Sequence, residues 1–158
     1  VDGQGASRVA LAMLAETLTV RPATADDARL MFDWRDDPAT RAVSWTSGAL
    51  EWDGHVAWLH RVLADPARQL FVGTIGGRPV GVIRFDFSSE DRAEVSLYLD
   101  PALHGLGLGP HLLLAGEDAA HPRTVDATVL ESNRASQRLF ETCGYEQVAP
   151  DRWVKQRS

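Results

Sequence analysis

Apolar residues along the chain alternate between two spacings, and the changeovers divide it into elements. Residues 1–16, VDGQGASRVALAMLAE, are Ala-rich and weakly amphipathic, with helical character from about Ala6; they read as a linker or the remnant of a preceding domain. A short β-rich run, LTVRPA, follows Thr17. Thr24-Ala25-Asp26-Asp27 then offers a helix start with acids in its first turn, and that helix carries Leu30, Met31 and Trp34 inward. A second helical pattern runs from about Glu51 to Leu63, with Val56, Leu59 and Val62 at helical spacing.

The pattern then turns to strands. Gln69 to Ile75 and Val80 to Phe87 flank Gly76-Gly77, a pair that takes positive φ at little cost, and so predict a hairpin. A turn at Ser88 to Asp91 brings in a third antiparallel strand, Glu94 to Leu99. Pro110 opens a helix to about Ala119, and Val125 to Leu130 is the next strand. Asn133 caps a helix that reaches Cys143, where Gly144 suits a left-handed stop, and Trp153-Val154 can add a last strand.

A chain of 158 residues holds one domain with a real core, here assigned to residues 17–158. The apolar fraction is 44% and the charged fraction 24%, which fits a folded globular chain. No apolar run reaches the ~20 residues of a membrane span, and the start has no signal-peptide layout, so a cytoplasmic protein is expected. The formal net charge of −6 disfavours a nucleic-acid partner. Cys143, the single cysteine, has no histidine beside it and reads as a packing residue; no Cys or His spacing suits a metal. Lys155 is the only lysine.

Chemistry concentrates in the strand and loop that precede the Pro110 helix. Val95, Leu97 and Leu99 share one face of the strand, and Glu94, Ser96 and Tyr98 share the other. Such a strand is either the wall of a polar cavity or an ordinary half-exposed antiparallel strand. In His104-Gly105-Leu106-Gly107-Leu108-Gly109 the glycines let backbone amides approach an anion at a helix N-terminus, an arrangement that can cradle a pyrophosphate. A dinucleotide-binding loop has similar glycines, but here hairpin-connected strands precede the loop rather than a βαβ unit.

AEVSLYLDPALHGLGLG, VLESNRASQRLFETCGY and LTVRPATADDA together resemble the GNAT acetyltransferase superfamily over nearly all of the chain from Thr17. The resemblance implies an α/β fold whose mixed, mostly antiparallel sheet is splayed between strands 4 and 5 and flanked by helices. It implies acetyl-CoA as cosubstrate, with pantetheine along Leu97, Tyr98 and Leu99, and the loop His104 to Gly109 at the pyrophosphate. Asn133, Ser136 and Phe140 of the following helix would complete the cofactor set.

Two positions depart from the family pattern. His104 stands where Arg or Gln is usual, and no cation lies among the glycines, so phosphate binding must lean on backbone dipoles. Phe140 stands where many members place a tyrosine that protonates the leaving thiolate. A thiol of pKa ~8.5 leaves tolerably without that acid, and solvent or Tyr98 could supply the proton later. The larger demand is a neutral amine: a lysine-like amine of pKa ~10.4 gives up about 4–5 kcal/mol at pH 7, while an α-amino-like amine near 8 is already about a tenth neutral. Glu94, acting through a water held by Ser96, is the expected base, with Glu131 as the other candidate; Asp86 and Asp126 read as structural.

FDWRDDPATRAVSW resembles a segment of family members that acetylate nucleotide-linked amino sugars of the pseudaminic acid pathway. Trp34, Arg35, Trp45 and Trp52 would then contact the acceptor, or else be core and surface residues. VDGQGASRVA is similar to the closing segment of the UDP-sugar hydrolase of the same pathway, which is sometimes fused to the acetyltransferase, so the chain is expected to be a piece of such a fusion. The partners so implied are acetyl-CoA and a small-molecule amine, a UDP-amino sugar first. A protein N-terminal or antibiotic-type acetyltransferase and a non-catalytic acyl-CoA-binding module are the alternatives.

Overall fold

The computed structural model describes residues 3–36 and 51–158. Helix α1 is Gly3–Met13, followed by strand β1, Thr19–Pro22. Helix α2 is Ala28–Arg35 and helix α3 is Trp52–Ala64. Strands β2 (Arg68–Ile75), β3 (Arg78–Phe87) and β4 (Arg92–Leu99) form the meander predicted around Gly76-Gly77. Then come α4 (Leu108–Ala120), β5 (Thr124–Thr128), α5 (Arg134–Thr142), β6 (Glu146–Ala149) and β7 (Arg152–Gln156).

The seven strands form one sheet in the order β1-β2-β3-β4-β5-β7-β6. All pairs are antiparallel except β4 with β5, which run parallel. That pairing lasts three residues, from Arg92 opposite Thr124 to Glu94 opposite Asp126. Beyond it β4 stays paired to β3 as far as Leu99, so its other edge, from Val95 to Leu99, parts from β5. The splay expected between strands 4 and 5 is present.

Each face of the sheet has its own core, as the alternation of strand residues requires. Ile83, Phe85, Val95, Val125 and Ala127 pack with Leu112 and Leu113 of α4 and with Phe140 of α5. Val72 and Val82 pack on the other face with Met31 of α2 and Leu59 and Val62 of α3. Leu11 of α1 joins the first core, and the Arg8 guanidinium donates to the backbone carbonyls of Ala102 and His104. Within the stretch expected to be a linker or remnant, Gly3–Met13 is helical and contacts the domain through Leu11 and Arg8.

Thr24 and Asp27 form a capping box, but the first turn is 3-10, and α2 begins only at Ala28. Pro110 is the third residue of α4 rather than its first; a proline is tolerated there because the first four helical N–H groups have no carbonyl partner within the helix. β6 is absent from the sequence prediction, since Glu146, Gln147 and Val148 are all exposed on a sheet edge and carry no burial alternation. No described helix is long and apolar enough to cross a membrane.

Candidate functional site

The gap between β4 and β5 opens into a cleft of about 910 Å³. β4 supplies Ser96, Leu97, Tyr98 and Leu99; the loop and the start of α4 supply His104, Gly105, Gly107, Leu108 and Gly109; α5 and its cap supply Asn133, Ser136 and Phe140. Arg35, at the end of α2, completes the predicted residues that line it. Sequence positions 63 residues apart from Arg35 to Tyr98 are thereby brought together, with the Arg35 guanidinium 5.5 Å from the centre of the Tyr98 ring.

Other predicted residues lie outside the lining. Leu106 packs partly against the core, anchoring the loop from below. Trp34 packs into the second core. Trp52 is 39% exposed, with its ring against Phe32 and His55 and the Arg29 guanidinium over it. Glu131 is an exposed turn residue whose carbonyl accepts a bond from Gln137 Nε2. Glu94 is exposed, and its Oε1 accepts a 2.6 Å hydrogen bond from Thr128 Oγ1, which does line the cleft. Trp45 lies outside the described residues.

The loop is shaped by two left-handed residues, Gly105 at φ +85° and Gly107 at φ +76°. A side chain at either position would meet open space, so backbone conformation rather than crowding demands glycine. Gly107 is the N-cap of α4, and the loop amides end at the positive end of that 13-residue helix. Asn133 Oδ1 accepts from Ser136 N–H at 3.1 Å, the helix cap that its place in the sequence suggests.

Sequence reasoning missed several lining residues. Arg138 enters the cleft from α5 and supplies a cation that the glycine loop lacks. Trp58 of α3 and Arg84 of β3 line the same side as Arg35 and stack at 5.4 Å. Thr128, at the end of β5, lines it as well. Only Arg138 left a usable sequence signal, five residues after the Asn133 cap; the others depend on which strands become neighbours.

Charge on this face is organised in a row. Asp86, Glu94 and Asp126 stand directly opposite one another across β3, β4 and β5. Asp86 is bound by Arg84 at 3.0 and 3.2 Å, and Asp126 by Arg92 at 2.6 and 2.7 Å with Arg152 at 3.7 Å. Among the described residues no cation pairs with Glu94. Burial pushes the Tyr98 phenol well above its ordinary range, with Arg35 and Arg84 pulling weakly the other way, so it stays protonated. The Cys143 thiol is raised by burial, then by Glu117, and remains a packing residue. No metal-ligating cluster occurs among the described residues.

A family model described as the acetyltransferase (GNAT) family matches residues 30–145. No curated protein sequence matches. Among solved structures, the fold is similar to spermidine N-acetyltransferase from Vibrio cholerae, in complex with CoA and spermine, at a TM-score of 0.80 and 16% identity, covering 88% of this chain and 95% of that one. The aminoglycoside acetyltransferase AAC(6')-Ib, with paromomycin and acetyl-CoA, superposes at 0.76 with 17% identity over 89% and 93% of the two chains. The GNAT domain of S. lividans PAT does so at 0.72 with 23% identity over 87% and 89%. With the splayed sheet, the left-handed glycine loop and a family match across well over half of its length, this chain belongs to the acetyltransferase (GNAT) family and is an acyl-CoA-dependent N-acyltransferase.

Proposed function

We propose that the chain transfers the acetyl group of acetyl-CoA to the primary amine of a nucleotide-linked amino sugar. The free edge of β4 from Val95 to Leu99 offers peptide groups to a pantetheine arm, and the amides of Gly105 to Gly109, with Arg138, suit its pyrophosphate. Bound acetyl-CoA supplies an activated thioester. Leu97 and Leu99 give the apolar half of that wall, while Ser96, Tyr98 and Thr128 give the polar half.

The observation that carries the acceptor assignment is Arg35. It lines the cleft with its guanidinium over Tyr98, and no carboxylate of the described residues forms an ion pair with it. Arg84, beside it, is neutralised by Asp86. A half-buried guanidinium with no ion-pair partner among the described residues favours a phosphate, which it can bind through two parallel hydrogen bonds, and opposes a polycation. Trp58 adds an aromatic surface for a sugar or base. The named neighbours are solved with spermine and with paromomycin, and the Arg35 guanidinium supports an acceptor that carries negative charge, unlike either.

Phe140 supplies no proton to the leaving sulfur, and a thiolate of ordinary basicity needs none at neutral pH. Tyr98 keeps its proton on the same wall. The test is release of free CoA across a panel of amines: a UDP-linked amino sugar, the free amino sugar, spermidine, an aminoglycoside and a peptide N-terminus. Turnover should be fastest on the first, with KM for it raised at least tenfold in Arg35→Ala. Turnover confined to polyamines or peptides would overturn the acceptor, and binding of acetyl-CoA without turnover on any amine would overturn the enzyme reading.

A further inference from the structure

We propose that Thr128 is a catalytic residue, a hydroxyl relay that takes the acceptor's proton inside the cleft and hands it to Glu94 outside. This inference rests on the transferase reading above and adds to it the route by which the amine is deprotonated.

Three observations carry it. Thr128 lines the cleft, and Glu94, which is not a lining residue, meets it through the Thr128 hydroxyl. The two are joined by a 2.6 Å hydrogen bond from Thr128 Oγ1 to Glu94 Oε1, a length typical of charge-assisted O–H···O⁻ bonds. Of the three carboxylates in the row across β3, β4 and β5, the outer two are held by arginines. Glu94 alone has a hydroxyl rather than a cation as its partner among the described residues. An arginine would stabilise the carboxylate as the anion and spoil it as a base; a hydroxyl leaves it able to accept.

The charged and polar groups around Glu94 are Asp86 with Arg84 of β3 and Arg68 of β2, Asp126 of β5 with its two arginines, and Ser96 and Arg92 on β4 itself. The splay explains why the relay exists. β4 and β5 are held together at Glu94 and Asp126 and diverge immediately after, so Thr128, two residues beyond Asp126, is on the inner side of the fork while Glu94 is at its base.

In the transfer step the acceptor nitrogen forms its bond to the thioester carbonyl carbon and the C–S bond breaks, its electron pair leaving on sulfur. One N–H proton passes to Thr128 Oγ1 as the hydroxyl's own proton passes to Glu94 Oε1. Exposed Glu94 returns that proton to solvent, and the sulfur takes one from solvent.

The experiment compares wild type, Thr128→Val, Thr128→Ser, Glu94→Gln and the Thr128→Val/Glu94→Gln double variant on the best amine of the panel, with acetyl-CoA affinity measured for each. Glu94→Gln keeps an acceptor for the Thr128 hydroxyl and removes only the base. Expected are a loss of about 100-fold in kcat/KM for Thr128→Val and for Glu94→Gln, near-full activity for Thr128→Ser, and a double variant no slower than either single one. Acetyl-CoA affinity should stay within about threefold throughout. In mixtures of light and heavy water, kcat/KM should curve as two protons in flight require in wild type, and run linearly in Glu94→Gln. Activity retained in Thr128→Val, failure of serine to rescue, or losses that multiply in the double variant would overturn the relay while leaving the transferase assignment standing. Absence of wild-type turnover on every amine would overturn both. Should Thr128→Val not fold, Thr128→Ser and Glu94→Gln decide between the same outcomes.

Discussion

The rings of Phe140 and Tyr145 meet edge to face, with centroids 4.9 Å apart and planes at 70°, and the Tyr145 hydroxyl donates to buried Glu117 at 2.7 Å. The phenol closest in sequence to the position that lacks an acid is thus already committed. Glu117 also receives Lys155 at 2.7 Å and lies 3.7 Å from Arg157. Tyr145→Phe should leave kcat within about twofold and destabilise the fold by about 1–3 kcal/mol, because one oxygen of a buried carboxylate loses its donor. Denaturant titration beside a turnover assay checks both halves.

High pH should erode the same network. Burial first, then Glu117, drive the Tyr145 proton affinity far up, and burial does the same at Tyr98 and Cys143. An acid whose folded pKa is raised contributes its stability below its unfolded value and loses it as pH rises beyond that value. The decline should therefore begin near pH 9 with Cys143 and steepen above pH 10 with the tyrosines. Unfolding free energies measured from about pH 8 to 11 should fall less steeply in Tyr145→Phe than in wild type.

Asp27 sets the acid limb. Its carboxylate is 4% exposed as a residue, accepts from both terminal nitrogens of Arg21 at 2.9 Å and takes the Thr24 amide at 2.8 Å. The Arg21 hydrogen bonds hold its pKa below the ordinary carboxylate value despite burial. A depressed acid contributes its stability above the unfolded pKa, near 3.8, and loses it as pH falls through the folded one. Asp27→Asn should be less stable at pH 7 and show a flatter stability curve below about pH 4 than wild type, which chemical melts across that range would reveal.

The glycine loop permits a contrast among its three glycines. Gly105→Ala and Gly107→Ala each place a Cβ in a left-handed residue, a strain of about 1–2 kcal/mol that the chain relieves by reshaping the loop. Acetyl-CoA affinity should drop about tenfold in each. Gly109 has no such φ; an added Cβ there would lie 3.3 Å from Leu139, a flexible neighbour in the cleft wall, so Gly109→Ala should weaken binding less. Equal effects at all three positions by calorimetry would refute this assignment of the loop's shape.

Much of this was readable from local pattern. The Gly76-Gly77 turn, the alternation in β4, the Asn133 cap and the Gly144 stop each depend on a few neighbouring residues, and all are where the sequence put them. What escaped depends on distant pairing. Arg92, Asp126 and Arg152 come from three strands, and only sheet order makes Asp126 an arginine ligand and leaves Glu94 to Thr128. Trp58, Arg84 and Thr128 enter the cleft for the same reason. Trp34, by contrast, packs against the second core as its helical phase predicts, and the acceptor contact that its motif suggests lies outside the cleft lining.

The three-residue seam between β4 and β5 makes this an unfinished sheet. Along β4 from Val95 to Leu99 the peptide groups that point away from β3, those of alternate residues, have no neighbouring strand to bond with, and in the proposed mode of donor binding a pantetheine arm takes that place. Donor binding is then a folding step in miniature: amide exchange along β4 should slow when acetyl-CoA arrives. Each tenfold excess of ligand over its Kd would add about 1.4 kcal/mol to the whole domain. The protein's resistance to unfolding thereby becomes a gauge of how much activated acyl donor surrounds it.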